Sequence, residues 1–228
     1  MQSPLVCLLD VETTGMEDDA QVVEIAAITG RLFDRGAPIE RTINTLVNPG
    51  VPIPCTASAV HHITDEMVRD AQTLDEVMET FPVADLYVAH NSAFDRRFLP
   101  QLKAAPWGCT LKCAYEEFRD APSYGLQALR YWLGTPPPPQ HVGHPHRAMY
   151  DVWTLAGLFD DLRSRGWDRE RMIEVSSRPR LLRTIPFGKH KGAKFTDVPG
   201  DYLAWLRRQS DLDEDVQYTL QQMAAAHA

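Results

Sequence analysis

The sequence lacks the features that would mark a membrane or secreted protein. No apolar run approaches the roughly 18–20 residues that a membrane span requires, so we expect no membrane association. The four cysteines, Cys7, Cys55, Cys109 and Cys113, include no Cys-x-x-Cys pair, which predicts reduced thiols. Residues 1–4 lead directly into an apolar segment and leave no room for a signal peptide. Together these absences predict a cytoplasmic protein.

The sequence also lacks an overall positive charge, with 23 Lys and Arg against 31 Asp and Glu. The distribution is uneven, because residues 163–195 hold ten Lys and Arg but only three acidic residues. Such a one-sided stretch indicates phosphate contact, since like charges repel one another without a partner. An ordinary solvated linker is the alternative. The predicted nucleic-acid backbone contacts are Arg178, Arg180, Arg183, Lys189, Lys191 and Lys194.

Three short motifs with acidic residues are present instead. The first follows the apolar residues 5–9, which predict a buried strand, and contains Asp10 and Glu12 before the turn residue Gly15. Residues two apart in a strand point to the same face. Two carboxylates on one face suit Mg²⁺ or Mn²⁺ better than zinc, because these ions prefer oxygen ligands. Alone, the pattern more often marks two solvated acids at a strand end.

The second motif follows residues 86–89, which are again strand-like. The next residues interrupt that pattern, and residues 93–99 predict a helix with Asn91 or Ser92 near its N-cap. Asp95 then lies in the first helical turn. The helix dipole alone would favour a carboxylate there, so this motif also has a purely structural interpretation.

The third motif contains His146 and Asp151 and follows four consecutive prolines at 136–139, which predict a non-helical loop. Because the two residues are five positions apart, they cannot share a helical face in the usual way. We therefore predict His146 at the junction of loop and helix, where its imidazole is suited to accept a proton near neutral pH. Asp151 is predicted in the first turns of the helix. A zinc site with His141 and His144 is disfavoured, because no Cys or Glu accompanies them at ligand spacing.

Taken together, in this order and spacing, the three motifs resemble those of the DEDDh family of 3′-to-5′ exonucleases, which have ribonuclease H-like folds. The resemblance also includes residues 22–28 as a second strand, residues 60–67 as a His-x-Ile-Thr segment and residues 123–129 as the helix before the third motif. It covers roughly residues 3–165. One departure is Met16, which stands where family members often carry Leu or a similar residue against the 3′-terminal base.

The resemblance implies a metal-dependent 3′-to-5′ exodeoxyribonuclease that releases 5′-nucleoside monophosphates from single- and double-stranded DNA, with a role in DNA repair. It implies two Mg²⁺ ions, replaceable by Mn²⁺, with Asp10, Glu12, Asp95 and Asp151 as ligands and His146 as general base. The residues that it implies near the terminal nucleotide are Val11, Thr13, Thr14, Gly15, Met16, His61 and Asn91. DNA 3′ ends are the expected partner, and neither a small-molecule cofactor nor an obligate protein partner is expected.

The order of apolar segments predicts an α/β fold. Strands are expected at 5–12, 22–29, 39–48 and 86–90, with helices on both faces of the sheet. The resemblance adds the ribonuclease H-like topology, a mixed five-stranded sheet flanked by helices with a small C-terminal module appended.

Three segments are predicted along the chain: a catalytic domain at 1–167, a basic linker at 168–183 and a module at 184–228. The module has the Phe-Gly-Lys-x-Lys-Gly pattern and two short helices, at 201–208 and 215–226. It resembles a module appended to some of these nucleases, which favours a DNA-degrading member.

Three other functions are compatible with the sequence. A 3′-to-5′ exoribonuclease would have the same motifs, because only contacts to the 2′ position distinguish the two polymers. A polymerase-associated proofreading subunit usually carries a polymerase-binding tail, but here the C-terminal module takes that place. A catalytically inactive nucleic-acid binder is disfavoured, because all five predicted catalytic positions are filled.

Overall fold

The computed structural model describes residues 3–225 and divides into two units between Ser176 and Ser177. Residues 1–2 of the predicted catalytic domain and 226–228 of the predicted C-terminal module, including the last position of its predicted second helix, lie outside the described residues. In the described part of the chain, no helix is long and apolar enough to cross a bilayer. All four cysteines are free thiols, as predicted.

Five strands form the sheet of the first unit: β1 (Val6–Thr13), β2 (Val22–Gly30), β3 (Ile39–Leu46), β4 (Leu86–Ala89) and β5 (Trp107–Cys109). Their spatial order is β3-β2-β1-β4-β5. The pairs β1–β2 and β2–β3 are antiparallel, whereas β1–β4 and β4–β5 are parallel. The predicted mixed five-stranded sheet is thus confirmed.

Helices cover both faces of this sheet. They are α1 (Cys55–His61), α2 (Asp65–Val68), α3 (Leu74–Glu79), α4 (Ser92–Phe98), α5 (Thr110–Glu117), α6 (Leu126–Leu133), α7 (Ala148–Ser164) and α8 (Arg169–Ser176). Alternate residues of β1 enter different cores: Val6 and Leu8 pack with residues of α5 to α8, and Cys7 and Leu9 pack with residues of α3 and α4. Because side chains alternate along a strand, Asp10 and Glu12 project from the same face as Val6 and Leu8.

The predicted linker at 168–183 is not a separate segment in the structure. Its first half is α8, whose Met172 and Val175 are buried in the core of the first unit. Three-residue spacing puts both on one helical face. The free energy gained by burying these two side chains holds the segment against the first unit, although most residues around them are charged. Its second half belongs to the second unit, where the Leu182 N–H donates to Thr219 Oγ1 at 2.8 Å.

The second unit contains two helices, α9 (Gly200–Leu206) and α10 (Glu214–Ala225), near the predicted positions. An isolated antiparallel bridge between Thr184 and Lys194 closes a loop before them. The core of this unit consists of Ile185, Phe195, Val198, Leu203, Leu206, Val216 and Leu220. It therefore has its own apolar centre.

Candidate active site

Strand β1 is longer than its parallel neighbour, and this leaves room for acidic residues at one edge. Pairing between β1 and β4 ends at Leu8↔Val88, while pairing between β1 and β2 continues through Glu12↔Glu24. Beyond Leu8, the edge of β1 that β4 leaves unpaired is contacted by α4, which begins just after β4. There the Val11 N–H donates to Asp95 Oδ1 at 3.3 Å. The first and second motifs are thus joined.

Helix α7 brings the third motif to the same place. The Asp151 carboxylate accepts hydrogen bonds from the His146 N–H at 3.0 Å and from Gln127 Nε2 at 2.6 Å. His146 precedes α7 by two residues, has a φ of 65° and is exposed, which confirms its predicted place between loop and helix. One ligand atom each of Glu12, His146 and Asp151 lies within 4.8 Å of the others.

Burial and mutual repulsion make the ionised carboxylates unfavourable. Burial raises the pKa of Asp10 well above its usual range, and the charges of Asp95, Asp151 and Glu12 raise it further. Burial, followed by Asp151 and Glu24, raises the pKa of Glu12 to about 8. Burial also raises the pKa of Asp95 to about 7 and the pKa of Asp151. Divalent cations would offset this repulsion, and the all-carboxylate donor set fits Mg²⁺ or Mn²⁺.

A further buried carboxylate, Glu24, is neutralised by Arg147. Glu24 Oε2 accepts from Arg147 Nε at 3.0 Å and from the Ala148 N–H at 2.9 Å, and Oε1 accepts from Arg147 Nη2 at 2.6 Å. These bonds fasten the backbone just after His146 to β2. The sequence pattern did not predict this pair. The available signal was a glutamate inside a nine-residue strand whose other residues, except Thr29, are apolar.

Gln127 on α6 was also missed as a site residue. Besides its bond to Asp151, it accepts from Arg130 Nε at 3.2 Å, so its amide is oriented from both ends. This orients the Asp151 carboxylate in turn. Nothing in the sequence pattern distinguishes Gln127 from any other polar residue of a helix.

The predicted substrate-binding residues of the first motif form the end of β1 and the turn after it. Val11, Thr13 and Thr14 are buried, and Thr13 Oγ1 donates to the Gly15 carbonyl at 2.7 Å. The Met16 side chain is 69% exposed, and its carbonyl accepts from Arg97 Nη2 at 2.8 Å. The backbone here is fixed, while the Met16 side chain is accessible to a ligand.

The two remaining predicted substrate neighbours differ in exposure. His61 is buried, and its Nδ1 accepts from the Ile63 N–H at 3.0 Å. Its Nε2 is near the Thr13 backbone but makes no hydrogen bond within the described part of the chain. Burial lowers the pKa of His61. Asn91 is the N-cap residue of α4 with a φ of 68°, and its exposed side chain makes no capping bond.

The six predicted backbone-contacting residues all lie in the second unit. Arg180 is bound by the buried Asp215, which accepts from its N–H and its Nε at 2.6 Å each, so Arg180 has a structural role. Arg178 and Arg183 also have internal interactions. Lys189, Lys191 and Lys194 are exposed and are therefore the members of the set best suited to contact phosphate.

Comparison with known proteins places this geometry in a family. The sequence model of the exonuclease family RNase_T matches residues 7–159. The protein "Exodeoxyribonuclease 10" of Escherichia coli (strain K12) is 36% identical over 214 residues, which cover 90% of this chain and 91% of that relative. The chain belongs to this exonuclease family. A "DNA polymerase III subunit epsilon-like protein" of Rhodobacter capsulatus is 31% identical over 196 residues, which cover 78% of this chain but 27% of that relative.

Solved structures agree with the family assignment. The structure described as "Exonuclease X in complex with 5' overhanging duplex DNA" has a TM-score of 0.66 and 33% identity, and covers 75% of this chain and 99% of that chain. Cell-death related nuclease 4 (CRN-4) has a TM-score of 0.58 at 16% identity, covers 72% of this chain and 65% of that chain, and shows the fold alone. The ribonuclease H-like, DEDDh-type fold is confirmed, and the chain is a 3′-to-5′ exonuclease of the exonuclease X type.

A second family model, described as "Putative quorum-sensing-regulated virulence factor", matches residues 179–223. This match lies within the second unit. It begins close to the boundary between the two units at Ser177.

Proposed function

We propose that this exonuclease is a metal-dependent exodeoxyribonuclease. It releases 5′-nucleoside monophosphates from the 3′ ends of single- and double-stranded DNA and acts in DNA repair. The observation that carries the proposal is the convergence of four carboxylates, Asp10, Glu12, Asp95 and Asp151, beside the exposed His146. The names of the relatives, which refer to deoxyribonuclease activity and to duplex DNA, support DNA as the substrate. The free thiols fit a reducing cytoplasm.

Asp10, Glu12, Asp95 and Asp151 are proposed to hold two Mg²⁺ ions. When bound, these ions stabilise the negative charge that develops on the attacking and leaving oxygens. The raised pKa values of the carboxylates support this assignment, because such a group must bind either protons or cations. Mn²⁺ is expected to replace Mg²⁺, since both prefer oxygen ligands.

His146 is proposed to accept the proton of the attacking water. Its imidazole is exposed, and its backbone is fixed on one side by the N–H bond to Asp151 and on the other by the Arg147–Glu24 pair. A general base must lie within hydrogen-bond reach of the proton that it removes. The two backbone restraints serve this requirement.

The end of β1 and the turn after it are proposed to bind the terminal nucleotide. Val11, Thr13 and Thr14 supply buried backbone beside the carboxylates, and Met16 supplies an accessible apolar side chain for the base. Met is flexible and polarizable and adapts to different partners. We therefore expect little discrimination among the four terminal bases.

The experiment is a time course with Mg²⁺ on three 5′-labelled substrates of one sequence: single-stranded DNA, blunt duplex DNA and RNA. The proposal predicts ladders that shorten from the 3′ end on both DNAs, with RNA largely spared. Preferential loss of RNA would assign the protein to the exoribonucleases instead. Asp10→Ala should be folded and inactive, whereas the exposed Glu170→Gln should be as active as the wild type; full activity of Asp10→Ala would refute the assigned site.

A further inference from the structure

The second unit carries three ring side chains in a row, which we call the aromatic row: His190, Tyr202 and Trp205. The ring centroids of His190 and Tyr202 are 4.5 Å apart, and those of Tyr202 and Trp205 are 5.4 Å apart. Each pair has the spacing of interacting rings. The row therefore has a defined arrangement.

Trp205 at the end of the row is not used by the core of its unit. Its neighbours on α9, Leu203 and Leu206, are buried in that core, whereas Trp205 is 47% exposed. A large aromatic side chain would be more stable if fully buried. An accessible indole in an ordered row is typical of a binding surface, because tryptophan contributes strongly to recognition.

The loop before α9 is shaped to bring His190 against this row. Gly188 has a φ of 69° and Gly192 a φ of 85°, conformations that favour glycine. A Cβ atom added at Gly188 would lie 3.3 Å from Tyr202 Oη, so the backbone passes close to the tyrosine. The same loop places Lys189 and Lys191 on either side of His190 in the sequence, and both are exposed.

The segment of the chain that carries the row contains more basic than acidic residues. Residues 186–208 contain five Lys and Arg and two Asp. Arg207 and Arg208 follow α9 directly and are exposed, and the acids Asp197 and Asp201 are also exposed. Residues 209–215, which follow, contain four acidic residues and no basic one, so the excess of positive charge is confined to the segment that carries the row, where it suits an anionic ligand.

We propose that the aromatic row and its lysines bind single-stranded DNA. A base stacks on Trp205, and Lys189 and Lys191 contact neighbouring phosphates. Bases in a duplex are already stacked on one another and do not offer their faces, so the row selects single strands. This site is distinct from the carboxylate site of the nuclease unit, and its binding needs no cleavage.

A strand held by the aromatic row remains tethered to the nuclease unit, because both units belong to one polypeptide. Two linked binding events raise the effective concentration of the strand. Loss of the row should therefore raise the KM for long single-stranded DNA and leave kcat unchanged.

The test is the fluorescence anisotropy of a labelled oligothymidylate with the full-length protein in EDTA, where cleavage does not occur. Trp205→Ala should weaken binding by at least about fivefold, the low end for loss of one aromatic–base stack. Trp132→Ala is the matched control, because Trp132 is 42% exposed but lies in the nuclease unit. The affinity of this variant for the oligothymidylate should equal that of the wild type. The Lys189→Ala/Lys191→Ala double variant should reduce the slope of log affinity against log salt by roughly 1.4.

Two further variants distinguish the loss of base stacking from misfolding of the second unit. Trp205→Phe retains a ring that can stack, whereas Trp205→Leu retains only apolar volume, so Phe should keep most of the affinity and Leu should lose it. Equal affinities of the Phe, Leu and wild-type proteins would overturn the proposal and point to an apolar protein partner. An affinity loss that is equally large on an abasic strand would also overturn it. Because binding is measured in EDTA, failure here is separate from failure of the nuclease assignment.

Discussion

The ion pair between Glu24 and Arg147 should be essential for stability and for the position of His146. The perturbation is Arg147→Met, which keeps most of the side-chain volume and removes the guanidinium. Glu24, whose side chain is 3% exposed, would then retain only the Ala148 N–H as a hydrogen-bond donor within the described part of the chain. A buried carboxylate would be left without its counter-charge.

The magnitude follows from the burial of the two partners. Removing one partner of a buried pair costs about 3–5 kcal/mol. The Arg147 side chain is 26% exposed, so we expect the low end, about 3 kcal/mol. That corresponds to a Tm decrease of roughly 6–12 °C. Glu24→Gln should cost less, because Arg147 is close enough to the surface to be solvated.

The catalytic effect should exceed the effect on substrate binding. His146 directly precedes Arg147, so release of this backbone misplaces the imidazole and should lower kcat by about tenfold or more. Loss of the Arg147 charge also removes a positive neighbour that repels cations and lowers the pKa of Glu12, so the Mg²⁺ concentration for half-maximal rate should not rise and the defect should appear in kcat. Calorimetric unfolding and single-turnover hydrolysis measure the two effects.

A double-mutant cycle decides whether the pair acts as a unit. The Glu24→Gln/Arg147→Met protein should be more stable than Arg147→Met alone, with a coupling energy of about 1 kcal/mol or more. Arg35→Met is the matched control at an exposed position and should leave Tm and kcat unchanged. Strictly additive effects, or a stable and fully active Arg147→Met, would refute the reasoning.

Three further predictions concern the site itself. His146→Ala should lower kcat by roughly 100-fold or more with little change in calorimetric Mn²⁺ affinity; loss of the metal would show that His146 is a ligand instead. Because the pKa values of Glu12, about 8, and Asp95, about 7, lie above the ordinary values of 4.5 and 3.8, the folded, metal-free protein binds more protons than the unfolded chain. The contribution of the site to stability is therefore fully present below about pH 4 and is lost as the pH rises through about 8. Glu12→Gln should make the decrease of Tm with rising pH less steep when Tm is measured in EDTA. A Tm profile with the same pH dependence as the wild type would count against the cluster. Mg²⁺ should raise Tm more at about pH 8.5 than at about pH 6, because at the lower pH it must displace protons; the opposite order would contradict the metal assignment.

Local patterns were sufficient for the parts of the site that lie close together in sequence. The two-residue period of a strand placed Asp10 and Glu12 on one face, and the proline-rich loop placed His146 before a helix. The structure has both features. Asp95 was predicted in the first turn of a helix and is found there. The convergence of these segments came from the family resemblance and not from periodicity.

Other features had no readable local signal. Strand β5 is three residues long, too short for a period to appear. Several of the eight residues of helix α8 are charged. Its two buried apolar residues were therefore too few to distinguish a helix from a charged linker in the sequence. Glu24 and Arg147 are 123 positions apart, and their pairing depends on how the loop before α7 meets β2. Tertiary packing decided each of these cases.

The central claim is that the acidic cluster binds the cations that drive 3′-end hydrolysis. The most direct measurement is a calorimetric titration of Mn²⁺ into the metal-free protein with a 5′-nucleoside monophosphate present, for the wild type and for Asp10→Ala. We predict two ions per chain for the wild type and loss of high-affinity binding for Asp10→Ala. Equal binding by both proteins would contradict the claim, because the ions would then lie elsewhere.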